Sequence, residues 1–141
     1  MDRAGDTKQQ RVATYGICER DGSILLVRAA SYLTVAGRWF LPGGGVDHGE
    51  DPPDALRREF AEETGLDVVV GELRGILSDV YPIPDGRILH TVRIIYDIAS
   101  FSGALRDETR GSSDAARWVP LGEVGSLPLQ PYVERALREL R

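Results

Sequence analysis

The stretch from Gly44 to Leu66 reads GGVDHGEDPPDALRREFAEETGL. It holds seven acids, Asp47, Glu50, Asp51, Asp54, Glu59, Glu62 and Glu63, against two bases, Arg57 and Arg58. That imbalance equals the net charge of −5 for all 141 residues, so the rest of the chain balances to zero. Asp51-Pro52-Pro53-Asp54 has the chemistry of a helix start. Asp51 is placed to cap, proline suits a first turn whose N–H groups lack partners, and acids face the positive end of the helix dipole. The helix is expected to run to about Thr64 and to stop on Gly65 in the left-handed conformation.

A helical wheel sharpens the acidic end. With Leu56 at 0°, Phe60 falls at about 40°, Glu63 at about 340°, Glu59 at about 300°, Glu62 at about 240° and Arg58 at about 200°. The three glutamates share one arc that borders the apolar pair expected to dock on a sheet. Carboxylates there suffer desolvation and mutual repulsion unless a positive group joins them. Arg58 alone cannot neutralise three. A hard divalent cation with oxygen ligands can, although a solvated acidic helix face gives the same local pattern.

Outside this stretch, Val12 to Cys18 and Ile24 to Val27 read as a hairpin with Asp21-Gly22 at the turn. Trp39 to Gly45 reads as a short strand running into glycines. LDVVVGELRGILSDV and RILHTVRIIYDIAS are both β-rich, and the second is apolar enough for a central strand. YPIPDG between them is a rigid loop, SGALRDETRGSSDAA a polar one, RWVPL a last strand, and YVERALRELR an amphipathic helix. Strands, helix, strands and helix predict an α/β sandwich with a mixed sheet. Residues 1–10 are expected to be a flexible tail and 11–141 a single domain.

Composition excludes several classes. Hydrophobic residues at 42% and charged residues at 28% are a globular mixture, not a disordered or fibrous one. No run approaches the roughly 18 apolar residues of a membrane helix, so no membrane partner is expected. The acidic balance argues against nucleic-acid binding. One cysteine, Cys18, cannot form an internal disulfide, which suits a reducing cytoplasm. The expected role of Cys18 is a small buried hydrophobe in a strand.

The spacing in the acidic stretch is a specific signal. Gly44, Glu50, Arg58, Glu59, Phe60, Glu62, Glu63, Gly65 and Leu66 stand at every position of the Nudix box. A chance match is expected on the order of once in 10⁹ windows. By this box the chain resembles the Nudix hydrolases, over about residues 11 to 138. Phe60 stands where many members carry an aliphatic residue.

The resemblance implies a Nudix-type α/β/α sandwich with a central mixed β-sheet. It also implies a metal-dependent hydrolase that cleaves the pyrophosphate linkage of nucleoside diphosphate derivatives, with Mg²⁺ or Mn²⁺. By position, Glu59, Glu62 and Glu63 resemble the metal ligands, and Gly44 the loop whose backbone lies against the metal. Arg58 resembles the arginine that pins a carboxylate, and Glu50 its ion-pair partner. The base that takes a proton from water stays open between Glu59 or Glu62 and an acid of the loop RDETRGSSDAARW. Many relatives carry glutamate close ahead of the tryptophan, where this chain has Ala115 and Ala116. That departure weakens the case for a loop base; among the loop acids the order is Glu108, then Asp114, then Asp107.

For substrate, Pro82 lies sixteen residues beyond Leu66, a placement associated in this family with ADP-ribose pyrophosphatases. Tyr81 followed by Pro82 and Ile83 lacks the dinucleoside polyphosphate pattern. Candidate substrate contacts are Tyr81 and Tyr32 for stacking, and Arg28, Arg38, Arg74 and Arg87 for phosphate or ribose. Trp39 and Trp118 are expected core anchors, His48 a surface residue and His90 a packed or paired one. The leading expectation is ADP-ribose or a related sugar nucleotide. A nucleoside triphosphate pyrophosphohydrolase is the alternative, and a non-catalytic nucleotide sensor is the reading of another class. Sensors lose box glutamates, and this chain keeps them all. Relatives are often dimers, so a homodimer is a further expectation.

Overall fold

The computed structural model describes residues 7–31 and 35–141. Tyr32 and the first six residues of the expected tail lie outside the described residues. The elements are β1 (Lys8–Ile17), β2 (Glu19–Arg20), β3 (Ser23–Ala29), β4 (Trp39–Phe40), β5 (Gly43–Gly45), α1 (Pro52–Thr64), β6 (Asp67–Pro82), β7 (Ile88–Ser102), β8 (Ser113–Pro120), a 3₁₀ turn (Leu121–Ser126) and α2 (Pro131–Glu139). β1 begins at Lys8, so the strand reaches three residues into the stretch expected to be a tail.

One sheet has the order β5-β1-β7-β6. β1 runs parallel to β7, and the other pairs are antiparallel, so this is the expected mixed sheet with β7 at its centre. Beside it stands a second, antiparallel sheet built on β3. β8 pairs β3 along its length, while β2 and β4 pair near its two ends.

The expected hairpin is corrected by this arrangement. Asp21 and Gly22 both have positive φ and close β2 onto β3, with Glu19 opposite Ile24 and Arg20 opposite Ser23. β1 belongs to the other sheet, and the chain crosses between sheets at buried Cys18. Alternating apolar residues identify a strand but not its long-range partner. The Trp39–Gly45 stretch likewise divides, with β4 joining β3 and β5 joining β1.

Two hydrophobic clusters fix the helices. In one, Leu56 and Phe60 of α1 pack with Leu25 of β3, Val68 of β6 and Ile98 of β7. In the other, Tyr132, Val133 and Ala136 of α2 pack with Ala13, Tyr15, Leu26, Leu77 and Ile95. Leu25 and Leu26 thus face opposite clusters, which explains why Ile24 to Val27 is uninterrupted apolar sequence. Trp118 is partly buried against the cluster of Leu56 and Phe60, and Trp39 against that of Tyr132 and Val133, as core anchors should be. Among the described residues no helix is long and apolar enough to cross a membrane.

Asp51 occupies the N-cap position of α1, though its side chain makes no capping bond, and Gly65 closes the helix in the left-handed conformation. Phe60 is fully buried with its ring edge against Gly16, where a Cβ would lie 2.7 Å from Cε2. Phe60→Ala is expected to cost about 3–5 kcal/mol through lost burial and a residual cavity, whereas Phe60→Leu should cost under about 2 kcal/mol. Urea unfolding of both variants measures the difference.

Candidate active site

The glutamates of α1 differ in burial in the order of their angles from Leu56. Glu63 is 1% exposed, the Glu59 side chain 13% and the Glu62 side chain 49%. The same acidic arc therefore descends from solvent into the core. Burial is the main reason the Glu63 carboxyl is pushed well above its ordinary range, with the Glu59 charge adding to it. Burial also raises Glu59, against the opposing charge of Arg58.

Arg58 is one cation among four carboxylates. Its Nε and Nη2 donate to the two oxygens of Glu50, each at 2.9 Å, in a bidentate fork. Nη1 lies 3.2 Å from Glu59 and 3.5 Å from Glu62, and Nη2 lies 3.5 Å from Asp47. Nη2 also donates to the Gly45 carbonyl at 3.1 Å, tying α1 to β5. The Arg58 bonds and the Asp47 N–H hold the Glu50 carboxyl down to about 2. Glu50 keeps its charge under all working conditions and so keeps Arg58 in place.

Glu63 lies beyond this cluster. Its Oε1 accepts the Gly43 N–H at 2.8 Å, and its buried Oε2 has no hydrogen-bond partner among the described residues. The backbone around it requires glycine. Gly43 has φ +147°, and a Cβ there would lie 2.0 Å from the Thr14 carbonyl oxygen. A Cβ on Gly44 would lie 2.8 Å from the Glu59 carboxyl. The bare strand thus fits closely against β1 at Gly43 and against the Glu59 carboxyl of α1 at Gly44.

A divalent metal is the group that the resemblance of the acidic stretch implies, and the residues fit it. An orphaned carboxylate oxygen, a second buried carboxylate and a side-chain-free strand make an oxygen-rich, hard-ligand environment. Among the described residues the acids do not stand together as a formed ligand cluster. Arg58 lies between Glu59 and Glu62, within ion-pair distance of both.

The loop acids separate cleanly. Asp107 bonds Arg117 at 2.7 Å and the Ala116 N–H at 3.0 Å, and Asp114 bonds Arg28 at 2.7 Å. Glu108 instead accepts from the backbone N–H and hydroxyl of Ser113, at 3.2 and 3.1 Å. Its charge reaches both Glu59 and Glu63 and raises their affinity for protons.

A cleft of about 290 Å³ opens beside Gly43 and Gly44, with Arg11, Tyr81 and Arg93 on its walls. Tyr81 is exposed there, as stacking requires. Pro82 is exposed at the end of β6 and lines neither this cleft nor the chamber next to it. Arg38 lines that neighbouring chamber and donates to the Leu129 carbonyl. Arg28 lies over the Trp39 ring and pairs with Asp114, outside the cleft walls. Arg74 is tied to the Leu140 carbonyl, and Arg87 to Asp85 and Gln9, away from the carboxylates. His48 is exposed, and His90 Nδ1 bonds Gln10 at 2.9 Å.

Sequence reading missed Arg11 and Arg93. Arg93 is buried, bonds Asp79 at 2.5 Å and lies over the Tyr132 ring at 4.3 Å. Burial opposes its charge, but Asp79 with Tyr15 and Tyr132 outweighs that and raises its pKa. A visible signal was an arginine inside the apolar run of a central strand.

A family model of the NUDIX domain matches residues 7–140. The chain belongs to the Nudix hydrolase family. This Nudix chain is 33% identical over 117 residues to an ADP-ribose pyrophosphatase of Methanocaldococcus jannaschii, covering 83% of the chain and 64% of that relative. It thus spans a little under two thirds of that relative's length. It is 34% identical over 115 residues to a CTP pyrophosphohydrolase of Escherichia coli, covering 82% of the chain and 79% of the relative. The crystal structure of a MutT Nudix hydrolase from Burkholderia pseudomallei superimposes with a TM-score of 0.81 at 31% identity, covering 94% of this chain and 99% of that one.

The buried Glu63 makes a stability prediction for the metal-free protein. A carboxyl raised by burial stabilises the fold at low pH, and that contribution is lost as pH rises from the ordinary carboxylate range through the folded value. Glu63→Gln in chelator should therefore raise the melting temperature at pH 7 by about 3 °C, or about 1 kcal/mol. The gain should shrink toward pH 4. Thermal melts across pH measure it.

Proposed function

We propose that this Nudix hydrolase cleaves the pyrophosphate linkage of a nucleoside diphosphate derivative, using Mg²⁺ or Mn²⁺, with ADP-ribose or a related sugar nucleotide as preferred substrate. The observation that carries this reading is the buried Oε2 of Glu63, without a hydrogen-bond partner among the described residues, beside Glu59 at the Gly43–Gly44 cleft. Nudix hydrolases generally use divalent metal ions.

Glu59, Glu62, Glu63 and the Gly44 backbone are the proposed metal-holding groups. When bound, the metal supplies Lewis acidity that offsets charge developing on the phosphate oxygens and favours ionisation of water. The chain's own residues do the rest. Glu50 fixes Arg58, and Arg58 orients the Glu59 and Glu62 carboxylates. Glu108, held by Ser113 and near Glu59 and Glu63 in charge, is the proposed acceptor of the proton from attacking water. Tyr81 offers a stacking face for the nucleoside, and Arg38 a cation at the neighbouring chamber. Arg28 serves the loop through Asp114 and reaches substrate only if that pair opens. Pro82 shapes the hairpin that carries Tyr81.

ADP-ribose is favoured by the name of the archaeal relative and by the placement of Pro82 in sequence. The second reading, nucleoside triphosphate pyrophosphohydrolysis, is favoured by the Escherichia coli relative at nearly equal identity. A panel of ADP-ribose, other sugar nucleotides and the nucleoside triphosphates tests both. AMP with ribose phosphate supports the first reading; a nucleoside monophosphate with pyrophosphate supports the second. No turnover of any panel member with either metal would overturn hydrolysis altogether.

Glu62→Gln should lower kcat more than about 100-fold with the fold intact by circular dichroism. Turnover equal to the native protein would sink the proposed metal site. Millimolar Mg²⁺ or Mn²⁺ should raise the melting temperature of the native chain through binding to the folded state. An unchanged melting temperature, with and without substrate, would count against it.

A further inference from the structure

The cleft at Gly43–Gly44 does not end at its far wall. A second chamber of about 390 Å³ adjoins it, and the two share Val35, Tyr81, Arg93 and Gln130. Arg93 stands at the junction, with Asp79 beside it on the chamber side. The Arg93 side chain is only 6% exposed. Its guanidinium is held by the Asp79 carboxylate on one side and laid over the Tyr132 ring on the other. Tyr132 is itself fixed by the Leu41 N–H.

This pair is incompletely used. Arg93 Nε and Asp79 Oδ1 are buried and have no hydrogen-bond partner among the described residues. A buried ion pair is a weak device for stability, because hydrophobic residues of similar volume serve as well or better. One that also leaves a donor and an acceptor unmet beside an open chamber needs a reason other than stability. The chemistry of a ligand there follows from charge. Arg93 and Asp79 cancel each other, and the chamber's other cation, Arg38, is engaged by the Leu129 carbonyl, so the pair itself offers a neutral donor and acceptor rather than an anion site. Val35, Val80 and Tyr81 supply apolar and aromatic walls. Flat apolar walls with one donor and one acceptor suit the edge of a nucleobase.

We propose that Arg93 and Asp79 read the hydrogen-bonding edge of a nucleobase seated in this second chamber and set the base preference of the protein. The proposal rests on the nucleotide reading given above, and it places the phosphates of the same ligand toward Gly43 and Gly44. Arg93 and Asp79 are specificity-determining residues here, remote from the reacting phosphorus.

The test is calorimetric binding of AMP, CMP, GMP, UMP and ribose 5-phosphate to the native chain and to Asp79→Asn. Asparagine keeps the shape and a bond to Arg93 but changes the carboxylate acceptor. The native protein should prefer one base. Asp79→Asn should weaken that preferred nucleotide about 10-fold or more and leave ribose 5-phosphate unchanged. Val80→Trp tests the chamber independently, since Val80 is exposed and can be enlarged without touching the core. It should weaken base binding to a similar degree with ribose 5-phosphate again unchanged. Equal binding of all four nucleotides, or a native ranking retained in both variants, would overturn the proposal. If base selectivity shifts as expected while the substrate panel shows no turnover, the hydrolytic reading fails and the base-reading pair stands.

Discussion

Burying a carboxylate against a β-sheet sets the terms for the rest of this structure. Glu63 is surrounded by protein, and one backbone N–H, that of Gly43, meets one of its two oxygens. Every nearby feature follows from making that tolerable. β5 is glycine where it is squeezed, Gly43 against β1 and Gly44 against the Glu59 carboxyl. α1 must be anchored on its apolar side by Leu56 and Phe60 to hold the acid inward. Arg58 must lie outside, where it compensates Glu59 and Glu62 but does not reach Glu63. A compensation left partial in this way breaks the local rules that favour stability, as functional and strained sites do.

The Arg58–Glu50 fork is the second element of that economy. A cation shared among several acids has no unique position unless one acid holds it firmly. Glu50 does so with two short bonds and a carboxyl that stays ionised far below neutrality. The fork spans the turn between β5 and α1, so it also fixes the angle at which the helix meets the strand. Asp107 and Asp114 are neutralised by their own arginines, which leaves Glu108 as the loop acid whose charge is felt at the buried glutamates.

Much of this was legible in the sequence, for local reasons. α1, its proline start and its glycine stop are set by neighbours in the chain. The graded burial of Glu62, Glu59 and Glu63 follows from helical geometry and the position of Leu56. Partner choice among strands was not legible. The pattern around Asp21-Gly22 declared a hairpin, but β1 joins a distant strand, because register between sheets depends on contacts no window contains. Arg93 was passed over for the same reason: its meaning comes from Asp79 and Tyr132, brought to it by β6 and α2. Pro82 shows the converse, a residue conspicuous in sequence that lies outside the clefts.

The parallel pairing of β1 with β7 joins residues as distant in sequence as Lys8 and Ile88. Loop closure over such a span is entropically costly and slow. The mixed sheet cannot be completed until the strand ending at Ser102 has left the ribosome, whereas the β2–β3 hairpin and α1 can form from local contacts. In the interval the apolar edge of β1 and the run Ile24–Val27 lack their covers, β7 and β8. The order of synthesis therefore leaves the newborn chain most prone to association before its last third emerges, and the acidic segment at Gly44–Leu66, already made by then, carries like charge that opposes such association.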